Sequence, residues 1–157
     1  MLPGYAQRLA ALRVERGMNS CVLAVAAGLQ DHMVLDHEAE RKTPTLSTLI
    51  ALAKVLCVPP GLLAFGERAV PGAADPGPET TFAARLRGAR QRSGDAWNAI
   101  AKRAGSTRGL LLKWEAGQVD WPGIYAEHVL AVARALAVCP RWLAFGELPP
   151  ARVEPKP

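Results

Sequence analysis

The pentapeptide Leu63-Ala64-Phe65-Gly66-Glu67 recurs eighty residues later as Leu143-Ala144-Phe145-Gly146-Glu147. Ahead of each copy, Tyr5-Ala6-Gln7-Arg8-Leu9 matches Phe82-Ala83-Ala84-Arg85-Leu86. The copies are 77 residues apart at the front and 80 at the back, so the second unit carries about three extra residues near Trp121. The chain is therefore one unit of roughly 65 residues written twice, which predicts two small domains.

Composition sets the expected boundaries. Residues 68–79 are rich in Pro and Gly and lack apolar periodicity, so they predict a linker between a first domain at 1–67 and a second at 80–147. Residues 148–157 read as a flexible tail. The longest apolar stretch, Val22 to Leu29, is too short to span a bilayer, and no signal peptide is recognised. We therefore expect a cytoplasmic, nucleoid-associated protein without a membrane partner.

Charge divides the two units. Residues 1–67 hold six Lys and Arg and six Asp and Glu, whereas residues 80–147 hold ten and five. A basic second unit favours a polyanionic partner, although basic surfaces also serve solubility. The three widely spaced cysteines predict reduced core thiols instead of a disulfide framework or a metal site.

The apolar residues follow helical spacing and no convincing strand is present, so the expected fold class is all-α with five helices per unit. Thr81 is a suitable N-cap, and Pro122 suits the first position of a fourth helix in the second unit. The expected helices span 5–16, 20–27, 30–38, 46–56 and 60–65, then 82–92, 97–104, 107–116, 123–136 and 140–145.

The short second and third helices of each unit carry a helix-turn-helix pattern. A small residue allows a close crossing, a glycine four residues later makes the turn, and two apolar residues pin the next helix. These positions are Ala24, Gly28, Val34 and His37 in the first unit, and Ala101, Gly105, Leu111 and Trp114 in the second. His37 holds the core position of Trp114, so we expect a packed histidine.

Each unit resembles a lambda-repressor/Cro-type (XRE-family) helix-turn-helix domain of bacterial and phage regulators. The resemblance is closest at Lys113-Trp114-Glu115-Ala116-Gly117 and at Trp142-Leu143-Ala144-Phe145-Gly146. It implies two tandem five-helix DNA-binding domains. Both units lack the glutamine that opens the second helix in this family, because Ser20 and Trp97 stand there.

The resemblance implies that the third helix of the second unit enters the major groove. The expected base-contacting residues are Thr107, Arg108, Gly109, Leu112 and Lys113. The expected phosphate-contacting residues are Arg85, Trp97, Lys102 and Arg103. Arg13 with Glu38 and Arg90 with Glu115 form equivalent pairs, for which an internal salt bridge and phosphate contact by the arginine remain open alternatives.

The first unit offers carboxylates on the equivalent face, at Asp31 and Asp36, which would repel phosphate. Its second helix is apolar all round, and such a helix is usually covered on all sides. Val22, Val25 and Ala26 are therefore expected to form a protein interface, with a second copy or with the second unit.

The leading hypothesis is a sequence-specific DNA-binding repressor that acts by operator occupancy. A homodimer would place two copies of the helix at 107–116 about one DNA turn apart. One alternative is a monomeric pseudo-dimer that reads double-stranded DNA with both domains, which the charge division disfavours. The other is an antitoxin-type protein-interaction module that binds another protein through the first domain. No enzymatic site, cofactor, metal or small-molecule ligand is expected.

Overall fold

The computed structural model describes residues 2–66 and 81–147, and the described chain is all-α, with ten α-helices, one 3₁₀ turn and no β-strand. Glu67, the predicted linker at 68–79 and the predicted tail at 148–157 lie outside the described residues. None of the described helices has the length and apolar character needed to cross a membrane. The helices are α1 Tyr5–Glu15, α2 Ser20–Ala26, α3 Met33–Glu38, α4 Leu46–Leu56, α5 Pro60–Phe65, α6 Phe82–Ser93, α7 Trp97–Ala104, α8 Arg108–Glu115, α9 Ala126–Ala135 and α10 Pro140–Phe145.

Three helices begin later than the sequence predicts: α8 by one residue, and α3 and α9 by three residues each. Helix α8 starts where Thr107 caps it, with Oγ1 accepting from the Leu110 N–H at 3.3 Å. The equivalent residue of the first repeat is Gln30, and α3 starts only at Met33, without a side-chain cap. Pro122 does not open a helix either, because it lies in the 3₁₀ turn Trp121–Gly123, and α9 starts at Ala126.

The repeated pentapeptide ends the last helix of each repeat. Leu143 and Ala144 are fully buried, and their carbonyls accept hydrogen bonds of 3.0 Å each from Nε and Nη2 of Arg85 on α6. The last carbonyls of a helix have no partner within it, so a cation there is favourable. Gly146 has a φ of +74°, and a Cβ at this position would stand 3.3 Å from the Arg85 guanidinium. In the first repeat, Arg8 binds the carbonyls of Leu63 and Ala64 in the same way.

The two repeats pack against each other through equivalent residues. The Leu46 N–H donates to the Ile124 carbonyl at 2.9 Å, and the Ala126 N–H donates to the Pro44 carbonyl at 3.1 Å. Each of these residues is 80 positions from its counterpart in the other repeat, so the two hydrogen bonds are reciprocal. The pair is centred on an isolated antiparallel bridge between Thr45 and Tyr125.

Helices α5 and α10 extend this contact between the repeats. The equivalent rings of Phe65 and Phe145 meet with their centroids 6.4 Å apart. Glu147 accepts from the Gly61 N–H at 2.7 Å and pairs with the buried Arg141 at 3.1 Å. Reciprocal contacts between equivalent residues describe an approximate two-fold relation, which is how the protomers of a symmetric dimer meet.

The three cysteines differ in exposure. Cys139 is buried, as expected, but Cys21 and Cys57 are exposed, so the prediction of core thiols is wrong for these two. Cys21 lies on the outer side of α2, and Cys57 ends α4 in a left-handed conformation.

Candidate nucleic-acid interface

Helix α8 has a buried side and an exposed side. Leu111 and Trp114 are buried and hold it against the second repeat. The exposed residues of its first two turns are those predicted to contact bases: Arg108, Gly109, Leu112 and Lys113, together with the exposed cap Thr107. The structure therefore places all five predicted base-contacting residues at exposed positions along α8 and its N-cap.

This exposed side is open and uncluttered. No other part of the described chain lies within 4 Å of the place where a Cβ would stand on Gly109. Leu112 is 39% exposed, so its side chain is accessible on this side of the helix. The turn before α8 is tight, since the Ser106 N–H donates to the Ala101 carbonyl at 2.9 Å and Gly105 is left-handed. Helix α7 therefore leads directly into α8.

A basic hollow of about 530 Å³ lies beside α8, between its C-terminal half and α6. Arg87, Arg90 and Lys113 line it together with Glu115, which pairs with Arg90 at 3.0 Å, so the lining has a net positive charge. Arg87 is not among the residues that the sequence predicts to contact phosphate. Its side chain is 54% exposed, and its Nη2 donates to the Glu115 carbonyl at 3.1 Å. Helical spacing could have predicted that Arg87 is exposed. Phe82, Leu86 and Ala89 define the inner side of α6, and Arg87 lies off that side.

The same spacing corrects the prediction for Arg85. This arginine is only 3% exposed, and its guanidinium binds the end of α10, so it does not face a phosphate. Trp97 is also corrected. It is 7% exposed, and its indole N–H donates to Glu115 Oε2 at 2.8 Å. Both side chains are part of the interior of the repeat.

The Glu115 carboxylate joins Arg90 and Trp97 at the end of α8. Its Oε1 accepts from Nε and Nη2 of Arg90 at 3.1 and 3.0 Å, and the Arg90 guanidinium lies 5.5 Å from the Trp97 ring centroid. In the first repeat, Arg13 and Glu38 form the equivalent pair, with hydrogen bonds of 2.6 and 3.0 Å. The internal salt bridge, one of the two open alternatives, is therefore confirmed in both repeats.

Lys102 and Arg103, at the end of α7, are exposed. Arg103 is partly engaged, because Nη2 contacts Asp95 and donates to the Ala135 carbonyl at 3.0 Å. Their predicted contacts with phosphate stay predictions. Among the described contacts, the Arg103 side chain makes two hydrogen bonds and the Lys102 side chain makes none.

The equivalent face of the first repeat has different chemistry. Asp36 replaces Lys113 and pairs with Arg41 at 2.9 Å and Lys42 at 3.1 Å. The hydrogen bond from Lys42, and to a smaller extent the one from Arg41, lowers the pKa of the Asp36 carboxyl below its ordinary value. The carboxylate is therefore charged at neutral pH. Leu35, which replaces Leu112, is 49% exposed.

The predicted protein interface on α2 is exposed. Val22 is 50% and Val25 64% exposed, and Ala26 is exposed too. The second repeat does not cover them within the described residues, so that alternative is wrong. The second repeat leaves α2 uncovered because it packs against α4 and α5 of the first repeat instead. Contact with another chain stays a prediction.

Comparison with family models, curated proteins and solved structures finds no match for this chain. Among the described residues, no group of His, Cys, Asp and Glu side chains is arranged to hold a metal ion.

Proposed function

We propose that the chain is a sequence-specific DNA-binding transcriptional regulator, in which each repeat is a lambda-repressor/Cro-type helix-turn-helix domain. The exposed side of α8 carries this proposal. Arg108 donates two hydrogen bonds to O6 and N7 of a guanine, Leu112 contacts a thymine methyl, and Gly109 allows close approach to the base edges. Thr107 and Lys113 complete the contacts around the groove.

Phosphates on either side are neutralised by Arg87 and Lys113 at the basic hollow and by Lys102 on α7. Phosphate contacts fix register and orientation, while base contacts select sequence. Occupancy of an operator that overlaps a promoter then blocks transcription. This is a binding function in the cytoplasm, with no catalytic step.

We further propose that one chain, and not a homodimer, occupies one operator. The reciprocal pairing between repeats supports this, because the backbone groups that flank Thr45 and Tyr125 are already paired within the chain. The first repeat then stands where a second protomer would stand. Its face carries Asp36 in place of Lys113, so one half of the operator is read mainly by α8. A homodimer requires another surface, for which exposed Val22 and Val25 are the candidates.

The test is selection of DNA from a random pool by the full chain, followed by affinity measurements across a salt series. Arg108→Ala should lose about 1–3 kcal/mol and relax one base position. The matched control is Asp31→Ala, at the equivalent position of the first repeat, which should leave affinity nearly unchanged. If Asp31→Ala abolished sequence preference and Arg108→Ala did nothing, the roles of the repeats would be reversed.

Sedimentation of the complex with labelled operator measures the stoichiometry separately. One chain per operator is expected, with a footprint that is stronger on one half. Two chains per operator would support the homodimer, and Val22→Glu should then reduce binding to a single chain.

A protein-interaction module is the second candidate function. It is favoured by the exposure of Val22, Val25 and Leu35 on the first repeat, where a DNA-contacting face would be polar and basic. In this version the first repeat binds another protein while α8 holds the chain on DNA.

A further inference from the structure

A partly enclosed cavity of about 390 Å³ lies in the second repeat, between the start of α6, the end of α8, the 3₁₀ turn and α10. Its volume is within the range of small-molecule sites, which are concave and mostly apolar. Only Thr81 and Arg85 among its lining residues carry polar side chains outside the indoles. Arg85 donates to the carbonyls of Leu143 and Ala144, so its guanidinium is already engaged with the end of α10.

Two pairs of aromatic rings form part of the wall. Phe82 and Trp114 meet edge to face with centroids 5.7 Å apart, and Trp121 and Phe145 do so at 6.2 Å. The Trp121 indole N–H donates to the Ala144 carbonyl at 3.0 Å, which fixes the ring. Ring faces and edges held in place favour a flat aromatic guest.

The cavity coincides with the segment in which the two repeats differ in length. Glu38 and Glu115 are 77 residues apart, whereas Leu46 and Ala126 are 80 apart, so the second repeat has three more residues between these points. Val119 and Trp121 lie in this longer segment and line the cavity. Both are only partly buried, although they are apolar. The added residues therefore build a wall that the fold of the first repeat does not need.

We propose that this cavity binds an uncharged, flat aromatic molecule, for which indole serves as the probe, and that the bound molecule changes the DNA affinity of α8. Trp114 belongs to α8 and is next to Lys113, while Phe145 contacts Phe65 across the repeats. A ligand between these rings touches both α8 and the contact between the repeats. This regulatory effect rests on the proposed DNA-binding function, but ligand binding itself does not.

Binding is measured on the full chain without DNA, by titrating indole and following the four tryptophan indole N–H signals by NMR. Saturable shifts are expected at Trp114 and Trp121, with smaller changes at Trp97 and Trp142. Ala83→Phe fills the cavity and should weaken indole at least about tenfold. Val119→Phe is a second blocking variant, should the first fail to fold. Ala11→Phe, at an exposed position of α1, is the matched control and should bind indole like the parent chain.

Indole-3-acetate, the anionic counterpart, tests the ligand class. Indole should bind more tightly, and preference for the anion would overturn the uncharged class. Absence of saturable shifts up to the solubility of indole, or equal binding by both blocking variants, would overturn the site.

The coupling is then measured with the selected DNA. Saturating indole should change DNA affinity several-fold, and DNA should change indole affinity by the same factor, since coupling between two sites is reciprocal. Independent binding of both ligands would overturn the regulatory effect. Failure to bind any DNA would instead refute the proposed function, and the NMR titration would still decide the site.

Discussion

Helices α3 and α8 hold equivalent places in the two repeats, yet they present opposite chemistry to solvent. Asp31 and Asp36 stand where α8 has Arg108 and Lys113. The exposed valines Val22 and Val25 of α2 correspond to Ala99 and Lys102 of α7. A face that contacts solvent or a partner is constrained only by that partner, so it can change charge without harm to the fold.

The internal polar contacts of the two repeats, in contrast, are the same. Arg8 and Arg85 bind the ends of their closing helices, and Arg13 and Arg90 pair with Glu38 and Glu115. A buried carbonyl or carboxylate that loses its partner pays its full desolvation cost. An arginine repeated in both units is therefore a structural residue, whereas one found in a single unit, such as Arg87 or Arg108, is a candidate for function.

The largest effect is expected from removing the repeated arginine of the second unit. Arg85→Met keeps the apolar stem but leaves the Leu143 and Ala144 carbonyls without their charged donor. We expect a loss of about 3 kcal/mol in the free energy of unfolding, measured by urea denaturation. Arg87→Met, two residues away, should leave unfolding nearly unchanged and reduce the salt dependence of DNA binding by about one ion.

The reverse result for Arg85 and Arg87 would restore the phosphate role that the sequence suggested for Arg85. It would also break the rule that repeated arginines are structural.

A smaller effect is expected at the contact between the repeats. All four tryptophans belong to the second repeat, so their fluorescence reports that repeat alone, while far-UV circular dichroism reports both. In the parent chain the two urea unfolding curves should coincide. Phe65→Asp removes the ring that meets Phe145 and should destabilise by about 2 kcal/mol, separating the two curves.

Separate curves already in the parent chain would contradict the internal pairing. Lys54→Asp, at an exposed position of α4, is the control and should leave the curves coincident.

Much of the helix pattern was accessible from the sequence. The repeated apolar spacing and the turn at Gly105 located α6 to α8 within one or two residues, and the Arg–Glu pairs emerged from comparing the copies. These features depend on local periodicity, which a sequence carries directly. The all-α prediction is confirmed, and His37 is a packed histidine at 1% exposure, as expected.

The errors have tertiary causes. Arg85 looks like a surface cation until the end of α10 is brought against it from 58 residues away. Trp97 similarly depends on Glu115 of α8. The reciprocal hydrogen bonds of Leu46 and Ala126 use only backbone atoms, so no side-chain pattern announces them. Nor did the sequence indicate that the added residues around Trp121 line a cavity.

The smallest effect distinguishes the cores of the two repeats, which carry His37 and Trp114 at equivalent positions. The His37 Nδ1 lies 3.1 Å from the Lys42 carbonyl, which can only accept, so the proton of the neutral ring is on Nδ1. The buried Nε2 has no partner among the described residues. Burial lowers the pKa of His37 below its ordinary value near 6.5, and the positive charge of Lys42 adds to this lowering.

The unfolded chain therefore binds a proton at a higher pH than the folded chain does. Stability should fall as the pH is lowered from 7 to 5, by at most about 1.4 kcal/mol per pH unit. The Asp36 carboxyl, whose pKa is lowered by Lys42 and Arg41, titrates below this window. His37→Phe should flatten the loss between pH 7 and 5 in urea denaturation, while Trp114→Phe, the equivalent change in the second repeat, should leave the slope as it is. An unchanged slope in His37→Phe would show that the difference between the two cores has no consequence for pH.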